Sequence, residues 1–155
     1  NICTPEDMCA MEAAGIDFVD AYLDDMPAWM LGTDTEIHIM AAASSRDVEP
    51  QGSFEGLELL PQVQMLEASV IDHDGYGEPL SAADIRLYAR LVERMRPVGV
   101  PVIVPTQRAI QPCELRGLHK VGVHGILIGA IVTGKEPQSI AGATAEFCDA
   151  ARALQ

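Results

Sequence analysis

The chain contains 155 residues, of which 48% are hydrophobic, and it carries a formal net charge of −13 at pH 7. Its length fits one domain, and no apolar run is long enough for a transmembrane helix. Because 23 acidic residues outnumber 10 lysines and arginines, nucleic acids and anionic membranes are poor partners. No basic and apolar leader precedes the first predicted helix, so we expect a soluble, cytoplasmic protein.

Helices and strands alternate along the chain from its first residues. Thr4 is a typical N-cap and Pro5 fits the first helical position, so a helix is predicted over 4–14. Gly15 ends it. Apolar and β-branched runs predict five strands, at 16–23, 35–43, 63–71, 100–104 and 125–129. Between the second and third strands only a short helix, near 53–60, is predicted.

The second half of the chain contains the longer helices. Ser81 and Asp84 form a capping-box pattern that begins a helix ending near Arg96. Two further helices are predicted, over 111–122 and 137–154. Each lies between or after predicted strands, which is the order of a repeating β/α fold with a parallel sheet.

A helix, a glycine stop and a strand occur from Thr4 and again from Gln111, which indicates equivalent β/α units. A complete eight-unit barrel needs ~250 residues. The sequence therefore predicts an incomplete TIM barrel. We expect residues 1–155 to form a single α/β domain, or to be the C-terminal part of a longer barrel. The alternative is a flavodoxin-like doubly wound sheet in which all five strands are present.

The C-terminal third, 97–154, contains three short motifs. They are "GVPVIV" from Gly99, "GVHG" from Gly122 and "IGAIV" from Ile128. This part of the chain resembles the last two β/α units of phosphate-binding TIM barrels, which include thiamine-phosphate synthase and the tryptophan and histidine biosynthesis barrels. Two features depart from that pattern. Thr-Gln-Arg replaces a glycine-rich loop at 106–108, and Ala130 replaces the usual serine or threonine.

The resemblance implies that the backbone N–H groups of Gly129, Ala130 and Ile131 bind a phosphate. Glycine allows a close backbone approach, and the first amides of a helix have no acceptor inside it. The hydroxyl of Thr106 is expected to donate a hydrogen bond to the same group, and Arg108 is expected to add a bidentate contact.

Acid/base candidates lie on the predicted strands, because barrels place their chemistry at the carboxyl ends of strands. Glu67 and His38 each lie between apolar neighbours, where a polar side chain is costly unless it is paired. With Asp20, they are our candidate catalytic residues. Glu67 and His38 are expected to form a proton-transfer pair, or to bind a divalent metal ion with Asp72 or Asp74.

These features predict an enzyme that acts on a small phosphorylated molecule by acid/base chemistry, as a lyase, isomerase or transferase. We expect it to form a homo-oligomer. The two lysines, Lys120 and Lys135, lie off the predicted strands, so no Schiff-base lysine is expected in the barrel centre. The alternative is a non-catalytic domain that binds a phosphate ligand or has a regulatory role.

Overall fold

Five parallel strands form one sheet in the computed structural model, which describes residues 4–48, 54, 57 and 60–154. Each strand pairs with its neighbours in chain order. The strands are β1 (Phe18–Tyr22), β2 (His38–Ala43), β3 (Val63–Ala68), β4 (Val102–Pro105) and β5 (Gly125–Leu127).

This strand order decides between the two predicted architectures. Parallel connections are right-handed, so a sheet built in chain order carries every crossover on the same face, as a barrel does. A flavodoxin-like sheet would instead show the order 2-1-3-4-5, with helices on both faces. The prediction of an incomplete α/β barrel is therefore confirmed. The flavodoxin-like alternative is wrong.

Two helices begin at capping boxes, where the sequence predicted an N-cap at Thr4 and a capping box at Ser81 and Asp84. Thr4 and Asp7 cap the first helix, and Ser81 and Asp84 cap the third. The helices are α1 (Pro5–Ala13), α2 (Ser45–Val48), α3 (Ala82–Met95), α4 (Leu115–Lys120), α5 (Ala130–Thr133) and α6 (Pro137–Arg152). Among the described residues, no helix has the length and apolar character needed to cross a bilayer.

The elements differ from the predictions in several places. The third strand ends at Ala68, and the helix predicted over 111–122 is a 3-10 turn, Pro112–Glu114, followed by α4. The short helices α2 and α5 were not predicted. Most of the short helix predicted near 53–60 lies outside the described residues.

The sheet has one face covered by helices and one open face. On the covered face, residues such as Val104 and Leu66 pack with Tyr88 and Leu118 from α3 and α4 in one apolar core. The open face is the one that would line the interior of a closed barrel. On it, Met40 and Ala42 of β2 are each only 2% exposed. Its edge strands expose large apolar side chains: Phe18 by 43%, Tyr22 by 42% and Leu127 by 39%.

Gly122 lies in the turn between α4 and β5, and replacing it tests what that turn requires. Its φ of 91° lies in the left-handed region, and a Cβ there would be 2.9 Å from Cγ1 of Val92. We expect Gly122→Ala to lower the free energy of unfolding by about 1–3 kcal/mol. Gly117→Ala is the matched control. Its added Cβ meets nothing within 4 Å, so helix propensity should make it neutral or stabilising by up to ~1 kcal/mol. Urea denaturation measures both, and equal stability of the two variants would contradict this account.

Candidate active site

Two carboxyl groups meet on the open face. Glu67 of β3 is hydrogen-bonded to Asp20 of β1, and the two side chains reach each other across β2. The residue of β2 that pairs with Glu67 is Ala42, whose small side chain leaves space for this contact. Glu67 is only 7% exposed, whereas Asp20 is exposed. We call these two groups the carboxyl pair.

Burial controls the ionisation of the carboxyl pair. Desolvation raises the pKa of Glu67 to about 7, and the negative charge of Asp20 and the hydrogen bond to it act in the same direction. Desolvation also raises the pKa of Asp20, although its hydrogen bond with Glu67 partly offsets that effect. With a pKa of about 7, Glu67 changes between its protonated and ionised forms near neutral pH.

A cavity of about 340 Å³ opens beyond the carboxyl ends of β1, β2 and β3. This volume is within the usual range for small-molecule sites. Its wall contains a hydroxyl cluster made of Tyr22, Ser69 and Tyr76. Its charged and ionisable lining residues are Asp24, Asp25, Asp72, Arg46 and His73. Asp20 precedes Tyr22 by two residues on β1, and Glu67 precedes Ser69, which directly follows β3, by two residues, so the carboxyl pair lies beneath this cavity.

The hydroxyl cluster is connected to the buried side chain of Gln107. Nε2 of Gln107 donates to Oγ of Ser69 at 2.9 Å and to the hydroxyl of Tyr76 at 2.6 Å. Its Oε1 accepts from the backbone N–H of Ile71 at 3.1 Å. The hydroxyls of Tyr22 and Ser69 are 3.0 Å apart and share a hydrogen bond. One amide side chain therefore fixes the wall of the cavity.

The structure brings Glu67 and Asp20 together but does not bring His38 to them. His38 begins β2 and pairs with Phe18, at the end of the sheet opposite the cavity. It precedes Ala42, the partner of Glu67, by four residues, which is ~13 Å along a strand. The predicted proton-transfer pair of His38 and Glu67 is therefore not formed. Among the described residues there is also no group of three or more side chains placed to ligate a metal ion.

The predicted phosphate residues are partly occupied by contacts within the chain. The backbone N–H of Gly129 donates to Oγ1 of Thr106 at 2.8 Å, and that hydroxyl donates to the carbonyl of Leu127 at 3.3 Å. Thr106 has one hydroxyl proton, so this bond leaves it none for a phosphate. Ala130 and Ile131 begin α5, and their amides have no acceptor inside that helix.

Arg108 makes two contacts within the chain. Its Nη1 donates to the carbonyl of Gly75 at 2.8 Å, and its Nη2 forms an ion pair with Asp84 at 3.0 Å. Asp84 is the third helical residue of the capping box at α3. Burial raises the pKa of Asp84, but the hydrogen bonds from Ser81 and the Arg108 guanidinium lower that pKa overall. Both Nη atoms of Arg108 are therefore engaged within the chain, and its role as a phosphate ligand stays a prediction. Arg108 holds the segment before α3 against the loop that follows β4.

Sequence reasoning missed Gln107, Tyr76 and Arg46. Gln107 is the second residue after β4, and its position at the carboxyl end of a strand was the available signal. Tyr76 lies in a polar, glycine-containing loop that resembles many exposed turns. Arg46 lies in α2, which was not predicted.

Three solved structures have a fold similar to this chain. Native KDPGal aligns with 97% of this chain and 66% of its own, at 17% identity and a TM-score of 0.63. A cube-shaped, highly porous protein cage designed by fusing symmetric oligomeric domains aligns with 97% of this chain and 50% of its own, at 17% identity and a TM-score of 0.64. Thiamine phosphate pyrophosphorylase from Pyrococcus furiosus aligns with 95% of this chain and 65% of its own, at 20% identity and a TM-score of 0.57.

These comparisons establish the fold alone. Neither a scan of protein-family models nor a search of curated proteins finds a match. The chain spans at most about two thirds of the length of the similar structures. Native KDPGal and the thiamine phosphate enzyme have TIM-barrel-type folds, in agreement with the predicted class. The similarity extends over nearly the whole chain, so it is not confined to the C-terminal third from which the resemblance was first drawn.

The raised pKa of Glu67 predicts a pH-dependent effect of Glu67→Gln on stability. In the unfolded chain the carboxyl ionises near its ordinary value of 4.5, but in the folded protein it ionises at about 7. Below pH 4.5 both states hold the proton, and as pH rises to 7 and beyond the unfolded state is increasingly favoured. Glutamine does not titrate and can still donate to Asp20. We expect the variant to gain stability over wild type as pH rises from 4.5 to 8, by at most about 3 kcal/mol.

Thermal unfolding of both proteins at several pH values measures this difference. Glu146→Gln, which changes an exposed residue of α6, is the matched control and should show no such trend. A Glu67→Gln variant that is less stable than wild type at pH 8 would contradict the account.

Proposed function

We propose that this protein is an enzyme that uses the carboxyl pair for general acid/base catalysis on a small molecule. The observation that supports this proposal most strongly is the contact between Glu67 and Asp20 beneath a cavity at the carboxyl ends of the strands. Barrel enzymes place their active sites at this end. A buried carboxyl with a near-neutral pKa can both accept and return a proton at pH 7.

The two carboxyls have different roles in this proposal. Glu67 is buried, and it transfers the proton to and from the substrate. Asp20 is exposed, so it connects Glu67 to the proton pool of the solvent through their hydrogen bond. The negative charge of Asp20 also raises the pKa of Glu67, which strengthens Glu67 as a base once its proton has left.

We further propose that the substrate carries a phosphate group and that the reaction is that of a lyase, isomerase or transferase. The similarity to a thiamine phosphate enzyme supports this class. The remaining candidates for phosphate contact are the amides of Ala130 and Ile131, at the start of α5. Thr106 then shapes the site rather than binding the ligand, because it holds Gly129 in place.

We also propose that the protein forms a homo-oligomer. Phe18, Tyr22 and Leu127 are exposed on the edge strands of the open face, and apolar surface of this kind is often buried against a partner. One similar structure is built from symmetric oligomeric domains. Light scattering at micromolar concentration should give at least the mass of a dimer. A purely monomeric protein would contradict this expectation.

The catalytic proposal is tested by replacing each carboxyl and measuring turnover of a panel of small phosphorylated metabolites by NMR. Loss of a general acid or base reduces rates by roughly 10²–10⁴-fold. We expect reductions in this range for Glu67→Gln and smaller ones for Asp20→Asn. Glu146→Gln should retain full activity, and the wild-type rate should change with pH near 7.

Binding of inorganic phosphate, measured by calorimetry, separates catalysis from ligand binding. If both carboxyl variants retain wild-type turnover, the acid/base role is excluded. If the protein binds phosphate but no phosphorylated metabolite in the panel is turned over, the non-catalytic or regulatory alternative is favoured.

A further inference from the structure

The hydrogen bonds of Gln107 determine the direction of every bond in the hydroxyl cluster. Gln107 is 5% exposed, and its Oε1 accepts from the backbone N–H of Ile71. A backbone N–H can only donate, so the atom facing it must be the amide oxygen. The amide nitrogen therefore faces Ser69 and Tyr76, and it donates both of its hydrogens to their hydroxyls.

This polarity leaves the hydroxyl protons available to the cavity. The hydroxyl of Tyr76 accepts from Gln107, so its own proton is not used in that bond. Tyr22 and Ser69 have two hydroxyl protons and share one hydrogen bond, so one of those protons is also left. The cavity wall thus offers two O–H donors, one from Tyr76 and one from Tyr22 and Ser69 together. Such a wall selects a hydrogen-bond acceptor.

The charges around the cavity indicate which acceptor fits. Three carboxylates line it, from Asp24, Asp25 and Asp72, against a single guanidinium from Arg46. The remaining ionisable lining group is His73, whose ring lies 4.8 Å from that of Tyr76. This excess of negative charge opposes a phosphate dianion. Neutral O–H donors in acidic surroundings favour an uncharged oxygen, such as that of a carbonyl group.

The hydroxyl cluster and the carboxyl pair have the spacing that one substrate could bridge. Tyr22 and Ser69 follow Asp20 and Glu67 by two residues on the same strands, which is ~7 Å along the sheet. A carboxylate that removes a proton from carbon must lie about 3 Å from it. An oxygen on the adjacent carbonyl carbon must lie about 3 Å from its donors. A small carbonyl compound with its oxygen at the hydroxyl cluster and its adjacent C–H at Glu67 would bridge the two groups.

We propose that this cavity binds the uncharged carbonyl group of a small molecule, whose carbonyl oxygen accepts from the hydroxyl cluster while Glu67 removes a proton from the adjacent carbon. This inference rests on the proposed acid/base function and deepens it by naming the substrate class. Gln107 is a positioning residue, because it acts through the hydroxyls it orients.

The step balances without another reactant. The carboxylate of Glu67 forms an O–H bond with the proton as the C–H bond breaks. The electron pair of that bond forms a C=C bond, and the carbonyl π pair moves to oxygen to give an enolate. The two O–H donors stabilise the oxygen as its charge develops. Return of a proton from Glu67 regenerates the carbonyl compound, and exchange of that proton through Asp20 introduces solvent hydrogen.

The step is tested by hydrogen–deuterium exchange at carbon. The full chain is incubated in D₂O with hydroxyacetone, and loss of the proton signal beside the carbonyl is followed by NMR. We expect exchange above the rate of buffer alone, and weaker exchange with pyruvate, whose carboxylate the acidic lining disfavours. No exchange with hydroxyacetone, or faster exchange with pyruvate, would overturn the inference.

Gln107→Glu tests the direction of the hydrogen bonds while keeping the shape of the side chain. Glutamate still accepts from Ile71, but it has no N–H group, so the hydroxyls must donate to it and no longer face the cavity as donors. Removal of one such donor costs about 10²–10³-fold in rate. We expect at least that loss in saturated exchange rate, together with a lower thermal midpoint, because the new carboxylate is buried. Gln138→Glu adds the same charge at an exposed position of α6 and should exchange like wild type.

Tyr76→Phe provides a second variant that removes one donor without adding charge, and we expect it to slow exchange by at least tenfold. If Glu67→Gln abolishes exchange but Gln107→Glu and Tyr76→Phe keep the wild-type rate, the hydroxyl site is excluded and the acid/base function stands. If Glu67→Gln abolishes turnover of phosphorylated metabolites but hydroxyacetone does not exchange, the hydroxyl site is likewise excluded and the acid/base function stands. If exchange persists in Glu67→Gln, both this inference and the proposed function fail.

Discussion

The right-handed connection between parallel strands is the constraint on which the rest of this structure depends. Because the five strands pair in chain order, every connection lies on one face, and the side chains of the other face converge. That convergence allows Asp20 of β1 to reach Glu67 of β3 across β2. In a doubly wound sheet a helix would cover this face, and a carboxyl at position 67 would lie in an apolar layer.

The loop that follows β4, residues 106–108, connects the elements around the cavity. Thr106 bonds to Gly129 at the start of α5, Gln107 bonds to the end of β3 and to Tyr76, and Arg108 bonds to Asp84 at the start of α3. Three consecutive side chains thus fix three different elements at the carboxyl ends of the strands. Phosphate-binding barrels often use a glycine-rich loop here, whose backbone does the binding. In this chain the side chains of the loop form hydrogen bonds and an ion pair with the surrounding elements.

Much of the fold could be predicted from the sequence because its signals are local. Capping boxes at Thr4 and Ser81 involve residues three positions apart, and β-branched runs identify the strands. The site was harder to predict. The alternation of side chains along a strand shows which face of the sheet each one is on, but not which residues of neighbouring strands lie beside it. His38 and Glu67 do lie on the same face, but they are at opposite ends of their strands. Arg108 could not be placed either, since its partner Asp84 is 24 residues away in sequence.

The two proposed contacts with substrate lie at different positions along the same edge of the sheet. The hydroxyl cluster is beyond β1 and β3, and the free amides of α5 are beyond β5, two strands further on. Neighbouring strands are ~4.8 Å apart, so these positions are separated by roughly 10 Å. If both proposals hold, a molecule of a few carbon atoms with a carbonyl at one end and a phosphate at the other would span them. The acidic lining would then keep the phosphate away from the carboxyl pair, and charge alone would fix the orientation of the substrate.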